Sequence, residues 1–172
     1  MLRGINLGPR NRIAMPALRE LMTDAGFDDV RTYVQSGNVV LRSGLDPGAV
    51  ARSSEARIAE VLGLEIAVVV RTRDELAAVV ERNPLRDVAV NPKRYQVSFL
   101  NEALDPDSVQ RLTALAAPSE RFVALGRELY AWHPDGVARS KLWARLASKS
   151  LGVTATARNW TTVTALLEMA DD

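Results

Sequence analysis

Apolar and polar positions along this chain alternate between two periods, and each change of period marks an element. Leu18, Leu21, Met22 and Ala25 recur at helical spacing behind Pro16, a residue suited to a first turn, and Gly26 follows the last of them. Two β-rich runs come next, Val30 to Gln35 and Asn38 to Arg42, and the Ser36-Gly37 pair between them has the spacing of a tight hairpin turn. Asp46-Pro47 reads as an N-cap and the first residue of a helix carrying Ala51, Ile58, Val61 and Leu62, closed at Gly63, before a buried strand over Glu65 to Val70. With the short apolar start Met1-Leu2, the order is βαββαβ. Two βαβ crossovers joined through a hairpin make the split motif of ferredoxin-like folds, which predicts a four-stranded antiparallel sheet with both helices on one face.

The second half nearly repeats the pattern. Thr72-Arg73-Asp74-Glu75 fits a capping box, opening a helix through Leu76, Val79 and Val80 that stops at Asn83-Pro84. Tyr95, Val97 and Phe99 alternate as a strand, and Asp105-Pro106 opens a helix bearing Val109, Leu112 and Leu115. Two strands, Arg121 to Leu125 and Glu128 to Trp132, flank Gly126-Arg127. Helical stretches through Leu142 and Leu146 and through Trp160, Val163, Leu166 and Leu167 finish the chain, with a short strand over Val153 to Ala157 between them. The expected fold class is α+β: two ferredoxin-like (split βαβ) subdomains, residues 1–72 and 73–172, the second with an extra C-terminal helix.

Composition narrows the chemistry. Over 172 residues, 22 basic side chains face 21 acidic ones, and the formal charge of +1 implies no broad attraction to nucleic acid or to an anionic membrane. Only Lys93, Lys141 and Lys149 of the basic residues are lysines. An arginine excess suits bidentate anion recognition, but a GC-rich coding bias is the preferred explanation. The absence of Cys excludes disulfides, thiolate nucleophiles and Cys-ligated metals, and one His excludes a histidine-rich metal site. No cofactor motif is present. The N-terminus lacks a signal-peptide apolar stretch, and the longest apolar run, Ile66 to Val70, is far too short to span a bilayer, so a cytoplasmic location with no membrane partner is expected.

Four stretches carry a resemblance: Leu2-Arg3-Gly4-Ile5-Asn6-Leu7-Gly8, Thr32-Tyr33-Val34-Gln35-Ser36-Gly37-Asn38-Val39-Val40, Ser140-Lys141-Leu142, and Thr156-Ala157-Arg158-Asn159-Trp160-Thr161-Thr162-Val163. Together and in this order the chain resembles the DUF1697 family of uncharacterised, mostly bacterial proteins. The resemblance implies a pair of ferredoxin-like subdomains and no established activity. Family members usually carry several residues before the Leu-Arg-Gly-Ile-Asn segment, so the first strand is expected here as a stub. They also usually have a Gly pair where this chain has Gly8-Pro9, and Pro9 removes an amide from any loop that would wrap a ligand with backbone N–H groups.

The candidate site residues fall in those stretches. The Arg3 to Asn11 loop, with Arg3, Gly4, Asn6 and Gly8, joins a strand to a helix, where amides and a helix N-terminus can meet an anion; it lacks the P-loop and dinucleotide patterns. Gln35, Ser36 and Asn38 belong first to a turn. Ser140 and Lys141 start a helix, and Arg158, Asn159 and Trp160 precede the last one; Asn159 also fits as a cap and Trp160 as a core anchor, which leaves Arg158 least explained by structure. These residues together suggest a binding protein for a small anionic, phosphate- or carboxylate-bearing ligand held in a groove between the halves. Single-stranded nucleic acid, stacked on Tyr33, Tyr95, Tyr130, Trp132 and Trp160, is the less favoured alternative because the net charge is near zero and no RNP signature is present. A third alternative is an enzyme acting on a phosphorylated small molecule with Lys141 and Arg158 holding the anion. His133, before Pro134 and a turn, reads as a surface residue, and the pairs Asp28-Asp29 and Asp171-Asp172 read as solvated. The oligomeric state stays open.

Overall fold

A computed structural model describes all 172 residues. The chain is α+β, with a two-stranded and a four-stranded antiparallel sheet, and it divides into two compact units: Met1–Asp74 together with Leu166–Asp172, and Glu75–Ala165. The last residues of the C-terminal helix therefore group with the first unit, whereas the sequence pattern assigned that helix whole to the second. No helix is long and apolar enough to cross a membrane.

In the first unit, α1 (Met15–Asp24) opens with Pro16 in its first turn and buries Met15, Leu18, Leu21 and Met22 on one side. The hairpin β1 (Asp28–Tyr33) and β2 (Asn38–Arg42) follows, paired from Asp28↔Arg42 to Tyr33↔Asn38. Helix α2 (Pro47–Leu62) is capped as its sequence requires: the Asp46 carboxylate accepts the Ala49 N–H at 2.9 Å, and Gly63 ends it in a left-handed conformation. The expected outer strands shrink to a bridge. Leu2 pairs with Val68, supported by Arg3 N–H to Ala67 O and Val69 N–H to Met1 O, and neither segment extends into a strand. One core of Leu2, Ile5, Ile13, Leu18, Met22, Phe27, Ile58 and Ile66 fills the unit.

The second unit runs α3 (Arg73–Arg82, its first residues belonging to the first unit), β3 (Tyr95–Leu100), α4 (Pro106–Leu115), β4 (Arg121–Leu125), β5 (Glu128–Trp132), α5 (Lys141–Leu146), β6 (Ala155–Asn159) and α6 (Trp160–Asp171). The strand order is β4-β5-β3-β6, with every neighbouring pair antiparallel. Alternation divides the sheet into two faces. Leu100, Leu129, Ala131 and Ala155 pack with Leu112 of α4 and Leu142 and Leu146 of α5. The opposite face carries Tyr95, Val97, Phe99 and Tyr130, all fully buried, and the Tyr130 hydroxyl lies 3.4 Å from Val79 O of α3. Burial on both faces includes the polar Ser98 of β3 and Glu128 of β5, whose strands otherwise carry large apolar residues.

Candidate functional site

In the first unit the structure gathers the predicted residues into one corner. After the Leu2 bridge the chain turns through Gly4 (φ +67°), and Asn6 takes a left-handed conformation (φ +56°). The Asn6 N–H donates to Asn11 O at 3.1 Å and closes the loop. Its side-chain amide copies a strand pairing: Oδ1 accepts the Ile13 N–H at 2.9 Å, while Nδ2 donates to Ile13 O at 2.9 Å and to Gln35 O at 2.7 Å. The Asn6 side chain thus tethers the loop to the hairpin. Gly37 completes the junction. Its N–H-bearing turn meets the Leu2 N–H through Gly37 O at 2.9 Å, and a Cβ there would lie 2.8 Å from Leu2 Cβ and Ile5 Cδ1. Asn38, fully buried, donates to Tyr33 O and to Ser36 Oγ.

The hairpin connection differs from the expected two-residue turn. β1 stops at Tyr33, and Val34, a β-branched residue at φ +50°, breaks the alternation that would have carried the strand to Gln35. What the corner exposes is Leu7, Gly8, Pro9, Arg10 and Arg12, with Val34 and Gln35 beside them. From Met1 to Arg19 the chain has four arginines and no carboxylate side chain. A shallow depression of about 340 Å³ on the same unit, lined by Pro16, Arg19, Glu20, Thr23, Asp24 and Val30, contains none of the predicted residues.

The second unit puts its candidates to structural work. Ser140 Oγ accepts the Trp143 N–H at 3.0 Å as the cap of α5, and Asn159 Oδ1 accepts the Thr162 N–H at 2.9 Å at the start of α6. The Trp160 ring stacks on Tyr95, centroids 4.8 Å apart. Arg158 corrects an expectation. It lies inside β6, opposite Val97, and is 8% exposed, with Nη1 donating to Thr156 Oγ1 at 2.8 Å and Ala157 O at 2.7 Å. Burial lowers its pKa to about 10. A guanidinium so enclosed has the local duty that its sequence context did not show. Lys141 remains solvent-exposed at the head of α5. Of the five aromatic residues of the stacking alternative, Tyr95, Tyr130 and Trp132 are buried, and desolvation pushes the Tyr130 hydroxyl up to about 12.

A buried polar cluster in this unit escaped the sequence reading. His133 is 0% exposed rather than superficial, and its Nδ1 lies 2.6 Å from Glu120 Oε1. The Ala117 N–H donates to the other Glu120 oxygen at 2.9 Å. Burial works to raise the Glu120 pKa, but hydrogen bonds from Ser140, Ala117 and His133 outweigh it and hold the carboxyl below the ordinary glutamate range. With Glu120 ionised, His133 donates through Nδ1, and the opposite nitrogen, Nε2, is buried with no partner. The Trp143 ring meets the imidazole edge-on at 5.8 Å. The sequence signal was available only as an isolated Glu and an isolated His, 13 residues apart and flanking a hairpin. The terminal acids are exposed as expected, Asp171 also accepting from Arg73 Nε at 2.6 Å, and nearby Arg31 Nη2 donates to Met169 O at 2.8 Å. No group of three or more His, Asp or Glu side chains is placed to hold a metal ion.

The family model of DUF1697, described as a protein of unknown function, matches residues 1–130. The chain belongs to the DUF1697 family. Of the four stretches that carried the resemblance, the two that build the first-unit corner lie inside the matched span, and Ser140-Lys141-Leu142 and Thr156 to Val163 lie beyond it. A solved structure of a conserved bacterial protein from Streptococcus pneumoniae shares the fold of this DUF1697 member: TM-score 0.75 at 22% identity, over 99% of this chain and 96% of that one. No curated protein matches the sequence.

Proposed function

We propose that this chain is a cytoplasmic binding protein for a small anionic, phosphate- or carboxylate-bearing ligand, and that Arg10 and Arg12 on the Gly4–Arg12 loop are its charged contacts. The observation that carries this reading is the corner itself: exposed guanidinium groups on a loop that Asn6 holds to the hairpin, with no carboxylate side chain before Glu20 and none between Tyr33 and Asn38. A tethered loop on a folded scaffold spends little conformational entropy on binding, and arginine suits both anion classes. The same proposal takes both units as ferredoxin-like. In its support, the second unit has the βαββαβ order with its first and third strands central and antiparallel, and the first unit has the order with its outer strands reduced to a bridge. Burial of Tyr95, Tyr130 and Trp132 weighs against the nucleic-acid alternative.

Calorimetric titration of the full chain with inorganic phosphate and with succinate at low salt tests the reading. Binding that weakens as salt is added, and falls at least about tenfold in an Arg10→Ala/Arg12→Ala variant, is the expected result, since each charge-assisted bond contributes about 1.5 to 3 kcal/mol. Unchanged affinity in that variant, or no binding of either anion, would overturn it.

A further inference from the structure

Two apolar side chains stand exposed at this corner beside its arginines. Leu7 is 85% exposed and Val34 53% exposed. They are the chain neighbours of Asn6 and Gln35, which the 2.7 Å bond from Asn6 Nδ2 to Gln35 O holds together. Val34 keeps its position in a left-handed conformation that β-branched residues rarely adopt. The cations Arg10 and Arg12 lie three and five residues beyond Leu7 on the same loop. Backbone recognition of the anion is restricted here, because Pro9 has no N–H and the Asn6 N–H is used to close the loop. The exposed charge and the exposed apolar surface are therefore both carried by side chains.

From this juxtaposition, and resting on the anion-binding reading above, we infer that the ligand is an amphiphilic anion: a phosphate or carboxylate joined to an aromatic ring or short alkyl group, its charge on Arg10 and Arg12 and its apolar part on Leu7 and Val34. Charge complementarity selects this occupant over a second copy of the chain, since a symmetric contact would bring the same arginines together.

The test compares inorganic phosphate with phenyl phosphate on the full chain, by calorimetry or by amide shifts in NMR, and adds phosphatidylglycerol vesicles as a third probe. Phenyl phosphate is expected to bind at least about tenfold more tightly than inorganic phosphate. Leu7→Ser should erase that preference while leaving the inorganic phosphate affinity and the melting temperature unchanged, and Arg10→Ala should weaken both ligands. Equal affinities would overturn the amphiphile inference and leave the anion reading standing; binding of neither would overturn both. Vesicle binding without phenyl phosphate binding would overturn the inference in favour of a membrane surface, and loss of a concentration-dependent dimer in Leu7→Ser, without ligand binding, would do so in favour of self-association.

Discussion

The two units use similar polar stretches for opposite purposes. In the first, Asn6 and Gly37 pin the loop to the hairpin and the first residues, and Arg10, Arg12, Leu7 and Val34 face solvent. In the second, Ser140, Asn159, Trp160 and Arg158 are consumed by caps, a stacked pair and a buried strand. A Ser, Asn or Arg in a non-periodic stretch is equally consistent with a ligand contact and with an unpaired helix end. What separates the two is whether the backbone nearby has donors left over. At the starts of α5 and α6 it does, and the side chains go there; in the first-unit loop the Asn6 side chain goes to Ile13 and Gln35, while Arg10 and Arg12 stay exposed.

This contrast can be broken from the second unit first. Glu120→Ala should be the most damaging change, costing about 3 to 5 kcal/mol in urea denaturation, because it strands the buried His133, the Ala117 N–H and the Ser140 hydroxyl together. Its pH signature has a definite sign. The Glu120 pKa is lowered in the folded state, so the unfolded chain binds the proton more readily; the stabilisation is present above the ordinary glutamate range and is lost as the pH falls through the folded value. Glu120→Gln should flatten that dependence, and an unaltered acid limb would mean that other carboxylates govern it.

Gly37→Ala comes next, at about 2 to 4 kcal/mol. It combines a positive φ of 72° with a Cβ 2.8 Å from Leu2 and Ile5, in a core with little room to yield. Arg158→Ala should cost about 2 to 3 kcal/mol through lost packing and lost hydrogen bonds, those to Thr156 and Ala157 among them. A change below 1 kcal/mol there would restore the picture of Arg158 as a residue without structural duty. Asn159→Ala, which removes only a cap, should cost about 1 kcal/mol by thermal melting.

Much of the fold was legible because local chemistry and tertiary structure agree. The Asp46 and Asp105 caps, the Gly63 stop and the β4–β5 hairpin split at Gly126-Arg127 all lie where the sequence places them. The failures share a cause in contacts between distant residues. Val34 leaves the strand where Gln35 O turns to the Asn6 amide, an interaction 29 residues apart that no local period encodes. His133 looked superficial because Pro134 and a turn follow it, yet it is buried against Glu120, the residue just before the paired strand β4 at the same open end of the hairpin. The candidate site was legible as a set of stretches, but which of their residues stay exposed depended on the pairing of helix ends and on burial in β6.

The smallest expected structural effect carries the largest functional one. Arg10→Ala, at an exposed loop position, should alter stability by less than about 0.5 kcal/mol while weakening anion binding. The most direct measurement of the contrast between the units is therefore an NMR titration of the full chain with inorganic phosphate, following every backbone amide. Shifts confined to Arg3–Arg12 and Val34–Gly37, saturating together and absent in Arg10→Ala, are the predicted result; shifts centred on Lys141 and Asn159 that persist in Arg10→Ala would contradict the assignment of the ligand site to the first unit.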